Sequence, residues 1–463
     1  MRTESSTLQR AVLAGAALLV CLLYLADLNG IGLVSKDEPR YADIGRTMAR
    51  TGDLITPRLW GEPWFEKPPL LYWMIAAGFK AGLGPELAPR LPVALLSLAF
   101  LLFFHNRLRR LWDLRVATFS TAMLATTAGW VALSGVAITD IPLAVFFTSA
   151  VLLAIDDRPR LTAAAASLGF AVLAKSLVPL VLFVPVLALD YRRIREWLKP
   201  GPILVFLAIA VPWHLVCYLR NGKEFLSVLF IQQQFGRFFS AERQHGQPWW
   251  FYGPALLLLL YPWFPLLVLA ASGRDWRNRR VRTLLAVVIF GFLFFSKSEN
   301  KLPSYLLPLV PSASILMGTG LARLRRPEVW MVVPIALLGL VPAAARVLPV
   351  ALATGIRAAA IPWREIVLDC SVACLVGVIL AAFVKKRAVA AAFVLCTAGF
   401  LCLKTAAYPE LDRAATARPE WLAGHPGCIE NNERGTVYGL EYYAERALPV
   451  CVHLDPTPAR VVR

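Results

Sequence analysis

Apolar stretches long enough to cross or nearly cross a bilayer recur along almost the whole chain, and the gaps between them alternate in character. One set of gaps carries basic clusters, such as Arg107, Arg109, Arg110 and Arg115, or Arg192, Arg193, Arg195 and Lys199. The other set carries mixed charges and aromatic residues. With 58% hydrophobic and 17% charged residues over 463 positions, no single soluble core hides so much apolar surface. The chain therefore reads as a polytopic membrane protein. Its formal charge of +18 does not point to nucleic acid, because the cations sit in every second gap, the pattern of loops kept in the cytoplasm.

The expected fold is an all-α bundle of about thirteen transmembrane helices. The spans are Ala11–Val34, Ala88–Phe104, Val116–Val136, Ile141–Ile155, Leu161–Ala174, Leu177–Leu189 and Pro202–Leu219. They continue with Phe251–Ala271, Leu284–Phe295, Pro303–Leu321, Val329–Ala345, Ile366–Val384 and Ala388–Leu403. No A-x-A cleavage site follows the first stretch, so it is expected to be retained, with the N-terminus in the cytoplasm. Residues 1–404 form the transmembrane domain, with a first outer loop at 35–85, and residues 405–463 form a small periplasmic cap. Six cysteines lie in or beside apolar spans, whereas Cys428 and Cys451 share the outer tail, where an oxidising compartment favours a disulfide. No inverted repeat is visible, and Asp369 is the charge noted inside the spans, with Asp190 at a cytoplasmic end. Both points weigh against a transporter.

The orientation gathers the unusual residues on one face: Asp37, Glu38, Arg40, Arg58, Glu66, Lys67, Asp140, Lys175, His245, Lys297, Lys301 and Tyr305. Asp37 is placed to cap a helix with Pro39 near its first position, and Asp140 to cap the helix that begins Ile141-Pro142. Tyr41–Arg50 is amphipathic and too short to span, and Leu70–Phe79 follows Pro68-Pro69 with Tyr72 and Trp73 as interfacial aromatics. Two such helices frame a lateral opening suited to a lipid-tailed substrate. Glu66 with His245 joins a carboxylate to an imidazole, the donor set of a divalent metal such as zinc.

Asp37-Glu38-Pro39-Arg40-Tyr41-Ala42-Asp43, followed by Phe65-Glu66-Lys67-Pro68-Pro69-Leu70-Leu71-Tyr72-Trp73, resembles the first outer loop of the aminoarabinose lipid A transferases. Those stand beside the protein O-mannosyltransferases among the GT-C integral-membrane glycosyltransferases. Thr139-Asp140, Leu173-Ala174-Lys175, the loop with Arg237, His245 and Trp249, and Lys301-Leu302-Pro303-Ser304-Tyr305 match in the same order. The likeness runs from about Leu22 to about Pro311. Where the family continues Lys-Gly-Pro, this chain has Lys175-Ser176-Leu177, and its tail is shorter.

The resemblance implies a GT-C bundle in the bacterial inner membrane and a sugar donor linked to undecaprenyl phosphate. The acceptor is lipid A or another envelope glycolipid on the periplasmic face. It implies a catalytic set of Asp37, Asp140 and Glu38. Lys67 leads the contacts to the lipid phosphate, supported by Arg40, Arg58, Lys175, Lys301 and Tyr305, because cations stabilise a departing phosphate. Glu66 and His245 would hold the metal. The chain is expected to act as a monomer among membrane lipids. A protein O-mannosyltransferase-like enzyme and a lipid-linked sugar flippase are the alternatives.

Overall fold

The apolar stretches fold as helices around one continuous hydrophobic core. The computed structural model describes residues 15, 17–236, 247–270, 277–354, 360–384, 387–430 and 433–451. Among these, six helices are long and apolar enough to cross a membrane, or eight if each of two bent pairs is one span. The molecule is a multi-pass membrane protein built almost wholly of helix; the described helices do not establish thirteen spans.

Two expected spans are broken. The stretch 116–136 divides into Leu114–Ala125 and Ala128–Ser134, bent by 59°. Thr126 and Thr127 sit at the break, and their hydroxyls donate back to the carbonyls of Ala122 (2.6 Å) and Leu124 (3.1 Å), an alternative to continuing the helix. The stretch 251–271 divides into Tyr252–Leu259 and Phe264–Ala270, bent by 109°. Pro262 and Pro265 lie there without the amide donors a helix needs.

Six helices and one hairpin position the site. They are α1 (Asp37–Thr51), α2 (Leu70–Lys80), α3 (Leu87–Leu111), α4 (Asp140–Ala154), α5 (Leu161–Lys175) and α6 (Arg434–Ala444). The hairpin pairs β1 (Arg58–Leu59) with β2 (Glu62–Pro63). α1 begins earlier than its amphipathic pattern suggests, and residues from Glu38 to Arg46 are all buried. Its apolar face meets α2, where Tyr41 and Tyr72 pack with ring centroids 5.8 Å apart. A Cβ at Gly45 would strike Ile75, so glycine permits this close crossing. Its polar face is not left to solvent or headgroups but lies under α6. Arg46 there pairs with Asp43 at 2.6 Å and donates to the Tyr442 carbonyl at 2.8 Å.

The last long helix, Ala388–Ala415, continues past residue 404. The cap has its own small core of Ala417, Ile429, Leu440 and Leu448. The expected Cys428–Cys451 disulfide is formed, beside a bridge between Ile429 and Val450. At the opposite end of the bundle, the basic gaps knit together. Arg107 pairs with Asp156 at 2.7 Å, Arg279 with Asp190 at 2.9 Å, and Arg280 with Asp157.

Candidate active site

The stretch between the first apolar segment and α3 brings four charged side chains into one cluster. Arg40 lies three residues after Asp37, one helical turn on, and pairs with it. Its Nη1 donates to Glu66 Oε2 at 2.8 Å and its Nε to the Lys36 carbonyl at 2.9 Å. Lys67 Nζ stands 3.5 Å from Glu66 Oε1. Burial opposes the charge on Arg40, but Glu66 and then Asp37 overcome it and hold the guanidinium above its ordinary pKa. Burial, then the same two carboxylates, pushes the Tyr41 phenol up as well, so it stays protonated. The side chains of Glu66, Arg40 and Lys67 are 4%, 8% and 11% exposed, whereas Asp37 is 27% exposed. Asp37 is the carboxylate of this cluster open to a substrate.

Asp37 does not cap α1. Lys36 occupies the cap position without a side-chain bond, Asp37 is the first helical residue, and its carboxylate turns to Arg40. Two acids in the first turn still favour the helix dipole. Glu38, expected beside Asp37 in catalysis, is fully buried and faces the other way. Its Oε1 accepts from Arg90 Nε (2.8 Å) and the Ala137 amide (2.9 Å), and its Oε2 from Arg90 Nη2 (2.7 Å) and the Val34 amide (2.7 Å). With each oxygen accepting two hydrogen bonds, Glu38 is a staple of the fold. Arg90 completes that staple by donating to the carbonyls of Leu28, Ile31 and Gly32 at 2.6–2.9 Å. Arg90 went unremarked in the sequence although it lies in an apolar span, where a charge must find partners. Its presence corrects the premise that Asp369 was the charge within the spans.

The same staple joins the start of α1 to the residues that lead into α4, where a second cluster stands. Asp140 is the first residue of α4, and Thr139, which makes no side-chain bond there, holds the cap position. The Asp140 carboxylate accepts from Lys175 Nζ at 2.8 Å, and that ammonium lies 4.5 Å from the centre of the Tyr305 ring. Ion pairing, and not capping, is the role of Asp140. Next to Lys175, Ser176 has φ +54° and ψ −130°, a backbone region that suits glycine, and its buried hydroxyl has no partner among the described residues. The family's glycine at this position has a physical reason, and here serine bears the strain.

Lys301 is buried, and its ammonium donates to the carbonyls of Ser298 (2.6 Å) and Gln247 (3.2 Å), so it ties loops together instead of presenting charge. Arg58 sits in β1 and donates to the Gly61 carbonyl of its own hairpin at 2.9 Å. His245 lies outside the described residues. Among those described, no group of three or more His, Cys, Asp or Glu is placed to hold a metal ion, and Glu66 is engaged by Arg40 and Lys67.

The cap contributes to the first cluster, which no pattern in the sequence announced. Arg40 Cζ lies 5.1 Å from the ring centre of Tyr438 on α6, 5.5 Å from Trp64 and 5.9 Å from Tyr41. Taken together, the arrangement offers buried cations beside one accessible carboxylate, with a second carboxylate–ammonium pair at the start of α4, tied to α1 through Glu38 and the Ala137 amide. Such a site can neutralise a departing phosphate and orient a nucleophile.

Residues 11–221 match the family model described as dolichyl-phosphate-mannose-protein mannosyltransferase. The chain is 33% identical over 329 residues to an undecaprenyl phosphate-alpha-4-amino-4-deoxy-L-arabinose arabinosyl transferase of Pseudomonas paraeruginosa, covering 66% of this chain and 59% of the relative. A protein of the same name from Pseudomonas savastanoi pv. phaseolicola is 34% identical over 330 residues, covering 66% and 61%. The chain thus spans about three-fifths of the length of these relatives. The crystal structure of ArnT from Cupriavidus metallidurans bound to undecaprenyl phosphate has the same fold, with a TM-score of 0.73 at 24% identity. That match covers 97% of this chain and 87% of that one. The likeness read from the loop motifs is borne out in both sequence and fold.

Proposed function

We propose that the chain is a glycosyltransferase that moves a sugar from undecaprenyl phosphate to lipid A or another envelope glycolipid. The observation that carries this reading is the buried Arg40–Glu66–Lys67 cluster with Asp37 open beside it. The names of the relatives and the shared fold support it. In the reaction the bond between the anomeric carbon and the phosphate oxygen breaks, and its electron pair leaves on the phosphate. Lys67 and Arg40 stabilise that charge, the ammonium as a point charge and the guanidinium as a fork. Lys175, held between Asp140 and the Tyr305 ring, adds positive potential.

An acceptor oxygen forms the new bond to the anomeric carbon. Asp37 orients that acceptor and balances the positive charge that develops on the sugar. A lipid A phosphate is already ionised and needs no general base, whereas a hydroxyl would give its proton to Asp37. The site faces the periplasm of the bacterial inner membrane, because the basic gaps at the other end belong in the cytoplasm. The chain works there as a monomer.

Mass spectrometry of lipid A and envelope glycans, from cells with and without the protein, tests the proposal. The expected result is a mass increment on lipid A that is lost in Asp37→Asn and Lys67→Ala, with membrane insertion unchanged. Each loss is expected to exceed about a hundredfold. An increment on proteins alone would favour the mannosyltransferase-like reading, to which the match over residues 11–221 lends support. Full activity in the double variant would sink the assignment of the site.

A further inference from the structure

The cap does more than cover the first loop. Within β1–β2 the two turn residues, Trp60 and Gly61, have φ of +48° and +91°. A hairpin turn with both central residues at positive φ suits Asn-Gly or Gly-Gly, so tryptophan at the first place is strained. Its ring stacks on Tyr438, with centroids 5.5 Å apart and planes inclined by 19°. The opposite end of the same hairpin supplies Trp64, and Tyr438 and Trp64 both approach the guanidinium of Arg40.

α6 is seated firmly enough to fix that ring. One and two turns toward its C-terminus, the Tyr442 hydroxyl donates to the Pro85 carbonyl at 2.8 Å and Arg50 pairs with Glu445 at 2.6 Å. The Tyr442 ring also lies 4.3 Å beneath Arg46.

We infer that Tyr438 is a positioning residue of the transfer site, acting through Arg40. Its ring, with Trp64, holds the guanidinium where it bridges Asp37 and Glu66. Its partner Trp60 transmits the seating of the cap to the hairpin. The attraction is of a cation to a ring face and does not need the phenol hydroxyl. The role rests on the proposed use of Arg40 against the lipid phosphate.

The test compares Tyr438→Phe with Tyr438→Leu in the full-length purified chain, using undecaprenyl phosphate binding and sugar transfer as separate readouts. Tyr438→Phe is expected to stay within about twofold of the parent, and Tyr438→Leu to lose about tenfold in both. In an Arg40→Gln background, the leucine change should have no further effect on binding. Thermal melting of the two variants checks that the cap remains seated. Parent-like binding by Tyr438→Leu would overturn the inference, as would an equal loss in Tyr438→Phe or an undiminished loss in Arg40→Gln. If the parent chain binds undecaprenyl phosphate without transferring sugar, the proposed function fails while the binding ratio still judges Tyr438. A parent chain that does not bind it ends both.

Discussion

The two ends of the bundle both pair arginine and lysine with carboxylates but differ in what else those cations touch. At the basic end, the arginines that pair with Asp156, Asp190 and Asp157 also run to backbone carbonyls where helices stop. Arg279 donates to the carbonyls of Ile155 and Asp156, Arg193 to those of Asp156 and Asp157, Arg107 to that of Leu152, and Arg115 to that of Leu324. The last carbonyls of a helix have no partner within it, so such contacts fasten turns. At the site end, Arg40, Lys67 and Lys175 face carboxylates and aromatic rings. A cation held by a carboxylate and ring faces can be shared with an incoming phosphate, whereas one that also grips the carbonyls of another helix or loop is committed to the fold. Arg90 and Lys301 belong to the site end by location but grip main-chain carbonyls like the basic-end cations, Arg90 in addition to its pair with Glu38. Location alone therefore does not separate cations tied into the fold from those clustered around Asp37 and Asp140; their partners do.

The contrast breaks most sharply at Arg90. Arg90→Met leaves Glu38 charged, buried and without its main partner, and is expected to cost about 3–5 kcal/mol, read as lost folded yield and a lowered melting temperature. A stable and active Arg90→Met would mean that the staple is dispensable. Next in size, Lys175→Met should lower transfer by about a hundredfold, measured as kcat of the folded protein on a lipid-linked sugar, beyond the stability lost by leaving the buried Asp140 unpaired. A drop in stability with kcat unchanged would move Lys175 among the structural cations.

At the other end, Arg279→Met is expected to lower stability by about 1–2 kcal/mol while leaving kcat unchanged, since it undoes a turn fastening far from the chemistry. A fall in kcat at constant stability would erase the distinction between the ends. Smallest of all, Ser176→Gly should raise stability by about 0.5–1 kcal/mol, because glycine adopts φ +54° without strain; thermal melting reads it.

The membrane class, the short helices α1 and α2 and the charged stretch between them were legible because apolar length and motif spacing are properties of consecutive residues. Asp140 and Lys175 were both singled out, but nothing local revealed that they pair across α4 and α5. Glu38 and Asp37 looked alike as neighbours in a motif. Successive helical positions point about 100° apart, so one faces Arg40 and the site while the other faces Arg90 and the interior.

By itself, the sequence determined that this chain lives in a membrane, that its charges divide between two ends, and that residues 36–73 gather an unusual density of charge between two apolar segments. Those conclusions follow from hydrophobic burial and charge placement, which act residue by residue along the chain. Only the tertiary structure decided which charged groups cluster around the accessible Asp37 and which are tied into the fold as staples. It also brought Tyr438, nearly four hundred positions later, onto Arg40. Pairing between distant helices depends on which faces meet, and that is settled by packing, not by order along the chain.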